Sequence, residues 1–280
     1  MKSWTRLAIE EAHRVSDDAP ENVEPPEKHL EGFYRCASDL LSHKLNATYL
    51  QLTIDQETLD FVSMPPSGWL QGALVAVLGY FMSFTDSMAY VGIGKMHVLS
   101  TLQFKLLLED WLPLGGSLLD IGAGAGDVTQ QLAPLFSSVV AVEASYYMAQ
   151  SLEKKGFSTL CIDQLNQNPW LMEQRFDCVA CLNVIDRCSK PLSLIKEMKG
   201  LLKAKGVLLL AVVLPFSPFY EQGTRTCDPE EEFVLEGDSF EEHASCLALQ
   251  FDQMGFDTLR CTKAPYLSQG DINQNYYVLS

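Results

Sequence analysis

Leu118-Leu119-Asp120-Ile121-Gly122-Ala123-Gly124-Ala125-Gly126-Asp127 is the stretch whose reading decides the fold. The apolar run from Ser117 to Ile121 has the composition of a parallel strand buried on both faces. Glycines at three alternate positions follow it, and Asp127-Val128-Thr129-Gln130-Gln131-Leu132 then reads as a helix start. Glycine lets the backbone turn sharply and lets a ligand come close where a side chain would collide. The helix start adds free N–H groups and a positive dipole end. A strand, a glycine loop and a helix in this order form a seat for a nucleotide-like ligand.

Spacing narrows the ligand. The dinucleotide fingerprint is G-x-G-x-x-G, whereas here the third glycine comes one residue early and Asp127 takes its place. Asp120 stands two residues before the first glycine, at the strand tip. That carboxylate repels a pyrophosphate and attracts a sulfonium or an amino-acid ammonium. The pattern D-x-G-x-G-x-G is similar to the S-adenosylmethionine (SAM) loop of class I methyltransferases, and it disfavours a nicotinamide oxidoreductase.

Outward from the loop, strands are predicted at 117–121, 138–143, 158–162, 176–182 and 206–214, with helices at 127–135, 146–155, 169–174 and 190–203. A helix at 238–254, a strand at 256–263 and a final strand at 274–279 close the chain. The alternation implies an α/β, Rossmann-like, doubly wound sheet with right-handed crossovers. Upstream, Trp4 to Val15 reads as a short amphipathic helix and Ser16 to Lys28 as an acidic, proline-bearing arm. Leu30 to Leu45 has helical spacing, further helical pieces are expected at 57–62 and 69–84, and Ser100 is a good N-cap for a helix from Leu102 to Trp111. The expected division is an N-terminal arm with helices over 1–60 and a methyltransferase domain over 61–280, of which 61–112 forms a helical cover.

Composition sets outer bounds. A chain of 280 residues with 47% hydrophobic content can bury a large core. Its net charge of −16 argues against a nucleic-acid partner, which needs clustered Lys and Arg. No signal peptide is read at the start, and the eight cysteines fit a reducing, intracellular and most simply cytoplasmic setting. Cys178-Val-Ala-Cys181 has the spacing of half a zinc knuckle but lies on a predicted strand. Positions i and i+3 there point to opposite faces, so buried thiols and no metal are expected. Val62 to Thr85 carries no charge, but its clean part, Trp69 to Phe84, is short for a membrane span and broken by glycines. It reads as a core or docking helix, with association with an internal membrane as the alternative. A monomer is expected.

The strand tips supply the candidate site. Glu143 ends the second strand, where an acid accepts both ribose hydroxyls of an adenosine, and Asp163 ends the third, beside the expected adenine. The fourth strand delivers Cys181-Leu-Asn-Val-Ile-Asp-Arg-Cys188. Asn183 sits at its tip, at the methyl-donor end, and Asp186 follows within one turn, where an amide and a carboxylate could hold a nitrogen nucleophile. The alternative is that Asp186 and Arg187 merely pair. His97 lies in the Gly92 to Ser100 loop and reads as a packed or solvated histidine.

Asp120-Ile-Gly-Ala-Gly, Cys181 to Cys188, Val213-Leu-Pro-Phe-Ser-Pro-Phe-Tyr220, Pro265-Tyr-Leu-Ser-Gln-Gly-Asp271 and Tyr276-Tyr-Val-Leu279 resemble the DREV family of class I methyltransferases, over about 67–280. The resemblance implies a mostly parallel sheet with an antiparallel last strand. It also implies SAM as cofactor, with S-adenosylhomocysteine as product, and methyl transfer to the pros nitrogen of histidine in His-x-His motifs of protein substrates. Asp120, Gly122, Gly124, Glu143 and Asn183 match cofactor-binding positions, and Asp163 joins them by fold analogy. Asn183, Asp186 and Tyr277 match the residues expected to frame the substrate imidazole. Two other readings are a SAM-dependent enzyme acting on a small-molecule amine and a non-catalytic methyltransferase-like scaffold.

Overall fold

The computed structural model describes residues 26–113 and 115–279; the helix expected at Trp4 to Val15, and the acidic arm up to residue 25, lie outside them. The helices are α1 (Pro26–Tyr34), α2 (His43–Thr48), α3 (Gln56–Val62), α4 (Trp69–Leu78), α5 (Phe84–Val91), α6 (Thr101–Leu108), α7 (Asp127–Leu132), α8 (Tyr146–Lys154), α9 (Pro169–Glu173), α10 (Pro191–Leu201) and α11 (Phe240–Gln253). The strands are β1 (Met96–His97), β2 (Ser117–Ile121), β3 (Ser138–Glu143), β4 (Ser158–Cys161), β5 (Phe176–Leu182), β6 (Leu202–Ala211), β7 (Tyr220–Gln222), β8 (Arg225–Cys227), β9 (Leu267–Gln269) and β10 (Tyr276–Val278).

A five-stranded, wholly parallel sheet of order β4-β3-β2-β5-β6 carries the molecule. Strand β2 is central, pairing Asp120 with Ala141 of β3 on one side and with Ala180 of β5 on the other. Its residues alternate between two layers of core, as the pleat requires. Leu119 and Ile121 join Val179, Cys181, Ile195 and Met198 on one face, while Leu118 joins Cys178, Ala180, Phe104 and Leu132 on the other. Cys178 and Cys181 thus sit buried on opposite faces of the sheet. All eight cysteines are free, and Cys161, at the end of β4, is the exposed one.

The last strands do not extend this sheet. β10 is antiparallel, but its partner is β9, and with β1 they form a separate three-stranded sheet of order β1-β9-β10. The strand expected at 256–263 does not form. Its backbone turns to the N-terminal part of the chain instead: Leu50 N–H donates to the Cys261 carbonyl, and Cys261 N–H donates to that of Thr48. Arg260 fastens the segment by donating to the Leu106 carbonyl and to Asp110. The helix expected over Leu30 to Leu45 breaks into α1, a single 3-10 turn at Ser38–Leu40, and α2. The break is held by Ala37 N–H, which donates to Glu241 at 2.8 Å. Residues 69–84 end their helix at Leu78, followed by Gly79, and Ser83 N-caps the new helix α5 by accepting from Asp86 N–H.

Ser100 does cap α6, in a reciprocal box with Gln103. Residues 26–62 have no separate core: Leu30 and Val62 pack with Leu267, and Leu41 and Leu45 pack with Ala244.

His97 is locked into this seam. Its Nε2 lies 3.2 Å from the Thr58 hydroxyl, and its ring stacks on Phe61 at 5.3 Å. Thr58 spends its own proton on Asp55 at 2.8 Å, so the histidine Nε2 carries the proton that joins them. Burial holds the imidazole pKa down to about 4, against a smaller opposing pull from Asp55. The unfolded chain takes up a proton near pH 6.5 that the folded chain refuses until about pH 4, so stability falls as pH drops through that window. The full window is worth about 3 kcal/mol, of which about 2 kcal/mol is lost by pH 5. Urea titrations at pH 7 and pH 5 should show wild type losing this much more than His97→Gln; equal losses would remove the histidine as the cause.

Candidate active site

The site lies where the carboxyl ends of β2, β3 and β5 meet. The three loop glycines all have left-handed backbones, with φ of 66° at Gly122, 58° at Gly124 and 85° at Gly126. Two of them are also spatially required: a Cβ at Gly122 would lie 2.5 Å from Val184 Cγ2, and one at Gly126 would lie 2.7 Å from Leu152 Cδ2. At Gly124 the added carbon would meet only Met148 Sδ, at 4.0 Å. That glycine leaves open room on the loop rather than a packed contact, as a seat for a ligand needs.

Two acids stand over this room. Glu143 Oε2 accepts the Gly124 N–H and Oε1 accepts the Ser145 N–H, each at 2.8 Å. Asp120 accepts the Thr129 hydroxyl at 2.7 Å. Both acids are buried, and no lysine or arginine pairs with either among the described residues. Burial pushes the Asp120 carboxyl up to about 7, and the neighbouring Glu143 charge adds to the rise. Burial also raises Glu143, against the backbone N–H groups that favour its charged form. A buried pair of acids without a cation is an electrostatic deficit that a cationic ligand relieves. The glycine room and the acid pair therefore fit the sulfonium and ammonium of SAM. Asp163 lies exposed just beyond β4, on the same sheet edge.

The other half of the crevice follows β5. Asn183 has φ of 58°, the one non-glycine left-handed backbone among the described residues; such conformations cost energy and cluster at functional sites. Its N–H is fixed on the Ala211 carbonyl of β6 at 2.9 Å. Asp186 is buried. Its Oδ2 pairs with Arg187 at 2.7 Å, while its Oδ1 is buried without a hydrogen-bond partner. Burial raises the Asp186 carboxyl and the Arg187 charge pulls it back. Arg187 also donates to the carbonyls of Asp186 and Ser217 and lies over the Phe219 ring at 4.2 Å. The pairing of Asp186 with Arg187 is thus real, and it uses only one carboxylate oxygen.

Tyr277 sits in β10, opposite Ser268. Its hydroxyl is engaged by Asp271 and Asn273 of the same hairpin rather than by Asp186. The phenol that reaches the β5 tip is Tyr266, which the sequence reading missed. Its hydroxyl faces the Asn183 side chain, and burial, with the Asp186 charge adding, pushes its pKa up to about 12. Leu279 N–H donates to the Tyr266 carbonyl, which continues the β9–β10 ladder. Tyr266, Ser268 and Tyr277 consequently share one face of the small sheet. The only sequence signal for Tyr266 is its place in Pro265-Tyr-Leu-Ser.

Two curated relatives are the ubiquinone biosynthesis O-methyltransferases of Glaesserella parasuis serovar 5 (strain SH0165) and Actinobacillus pleuropneumoniae serotype 5b (strain L20). Each is 24% identical over 128 residues, covering 42% of this chain and 54% or 55% of the relative. The chain therefore spans about half the length of the curated relatives it matches. Among solved structures, the sugar N-methyltransferase KedS8 from Streptoalloteichus is 24% identical, with a TM-score of 0.35 over 40% of this chain and 46% of that one. A SAM-dependent methyltransferase from Thiobacillus denitrificans, in complex with S-adenosyl-L-homocysteine, is 15% identical, with a TM-score of 0.32 over 39% and 46%. The model of the DREV methyltransferase family matches residues 33–280. The chain belongs to the DREV methyltransferase family, and its cofactor is S-adenosylmethionine.

Proposed function

We propose that the protein transfers a methyl group from SAM to the pros nitrogen of histidine in His-x-His motifs of protein substrates. The observation that carries this reading is the unshared Oδ1 of Asp186, buried beside Asn183 and Tyr266. An orphaned buried acceptor calls for a donor, and a neutral imidazole brings one N–H and one lone-pair nitrogen. SAM supplies an electrophilic methyl on a sulfonium. Asp186 accepts the tele N–H of the substrate ring, which fixes the tautomer and leaves the pros nitrogen with its lone pair free. As that nitrogen gains the methyl, positive charge spreads over the ring, and the same carboxylate offsets it. Asn183, held by its backbone and facing the Tyr266 hydroxyl, orients the ring. Tyr277 walls the cleft from the small sheet. The tele proton stays with the imidazolium product and is shed to water after release.

A small-molecule amine could present an N–H to the same oxygen, and one experiment separates the two. A His-x-His peptide incubated with enzyme and SAM should gain one methyl group, assigned by fragmentation and NMR to the pros nitrogen. A peptide that stays unmodified while small amines accept the label overturns the reading.

A further inference from the structure

The helical cover carries a surface that the chemistry above does not use. Helix α4 carries no charge and is apolar apart from Gln71, whose side chain caps its own first turn, yet only Val75 of its residues is buried. Helices of that composition belong inside a core or a membrane. Here Trp69, Leu70, Leu74 and Val77 are exposed, and the turn that follows adds Tyr80 and Phe81, at 84% and 80% exposure. A cluster of this size marks an interaction surface.

The geometry points to a zwitterionic lipid surface as the occupant, with α4 and the 79–84 turn lying in the headgroup plane and α5 tethering them to the site. Charge is the first argument. No charged side chain lies between Asp60 and Asp86, and no lysine or arginine between Lys44 and Lys95. An anionic bilayer needs basic residues that this face lacks, and the net charge of −16 sets two copies against each other. Shape is the second. At 100° per residue, Trp69, Leu70, Ala73, Leu74, Ala76 and Val77 span an arc of about 160°. That is wider than the seam of a paired helix and matches a helix half-sunk in an interface. Chemistry is the third, since Trp and Tyr partition to the level of the headgroups. Spanning is not at issue: no described helix is long and apolar enough to cross a membrane.

The surface adjoins the cofactor corner. Ser145, whose N–H is held by Glu143, donates its hydroxyl to Asp86 of α5 at 2.5 Å. Tyr90 of α5 packs edge-on against Tyr147 of α8 at 5.3 Å. Docking would therefore set the mouth of the crevice against the lipid, within reach of protein segments that emerge from it.

Flotation of the full chain with phosphatidylcholine vesicles tests the inference, with brominated lipid to quench Trp69. Wild type should float and lose the part of its tryptophan emission that a Trp69→Phe variant lacks. The double variant Leu74→Glu/Phe81→Glu should partition at least about tenfold less, with its melting temperature and SAM affinity unchanged. Three results would overturn the inference: wild type left in the pellet at saturating lipid, flotation that requires phosphatidylserine, or a wild-type dimer in sedimentation that the variant dissolves. None of these outcomes bears on the histidine reading, which the peptide assay decides.

Discussion

Asp186→Asn should leave SAM affinity within about threefold of wild type and lower turnover on a His-x-His peptide by two to four decades, about 3–5 kcal/mol of transition-state stabilisation. The substitution keeps the shape of the buried side chain and removes its charge. The amide can still reach the ring, but it cannot offset an imidazolium. Because Arg187 is half-exposed, losing its partner leaves the cation in contact with water rather than stranded. Arg187→Met tests the same carboxylate from the other side. With the guanidinium gone, burial acts on Asp186 against its backbone N–H alone, and its pKa rises further. The charged form is then reached at a higher pH, so the acid limb of kcat/KM should move upward, and Arg187→Lys should bring it part of the way back. The groups facing Asp186 besides Arg187 are Tyr266, Cys181 and Cys188, whose raised pKa values keep them neutral over the working range. Full turnover in Asp186→Asn, or a pH profile indifferent to Arg187, removes Asp186 from the reaction.

Asp120→Asn should weaken SAM binding by about 10- to 100-fold and abolish its dependence on pH. In wild type the carboxyl titrates near pH 7, because it is buried beside a second acid. A cationic ligand binds the carboxylate better than the acid, so below pH 7 binding must first expel a proton. The dissociation constant should therefore fall as pH rises from 6 to 8, by up to about tenfold per unit on the acid side of the pKa. Calorimetry in buffers of different ionisation enthalpy would show that proton leaving at pH 6 and not at pH 8.5. In the variant both signals should vanish. Affinity that is flat with pH in wild type, or unaltered in Asp120→Asn, would show that the acid pair does not hold the cofactor.

What could be read from residues alone divides along sequence distance. The β2 strand, the glycine loop and Glu143 lie within 27 residues, and each step follows from local composition: a doubly buried strand, positive φ at alternate positions, an acid at the next strand tip. The cap at Ser100 is equally local. The last sheet is not. Leu267–Gln269 pairs with Met96–His97, some 170 residues earlier, and a strand of two residues carries no period of its own. The 256–263 segment has strand-like composition, but its partner is decided by where α2 and α6 leave free backbone and by Arg260. Helix α5 is hidden by its neighbour: Gly79 and Ser83 mark the break after Leu78, but the apolar run continues across them. The β7–β8 hairpin, turning at Gly223, was also passed over. Tyr266 and Tyr277 show the limit most plainly. Both are tyrosines in short strand-like runs, and only the ladder from Leu279 to Tyr266 decides which phenol arrives at Asn183.

Cys161 offers a built-in reporter. It is the exposed cysteine of this chain, and its register partner across the sheet is Glu143. The buried thiols of Cys178 and Cys181 are held protonated and shielded; the Cys161 thiol is raised as well but meets solvent. A maleimide dye added at mildly alkaline pH will mark that strand end first, one β-spacing from the ribose corner. Cofactor occupancy could then be followed by fluorescence in the native sequence, without engineering a label into the protein.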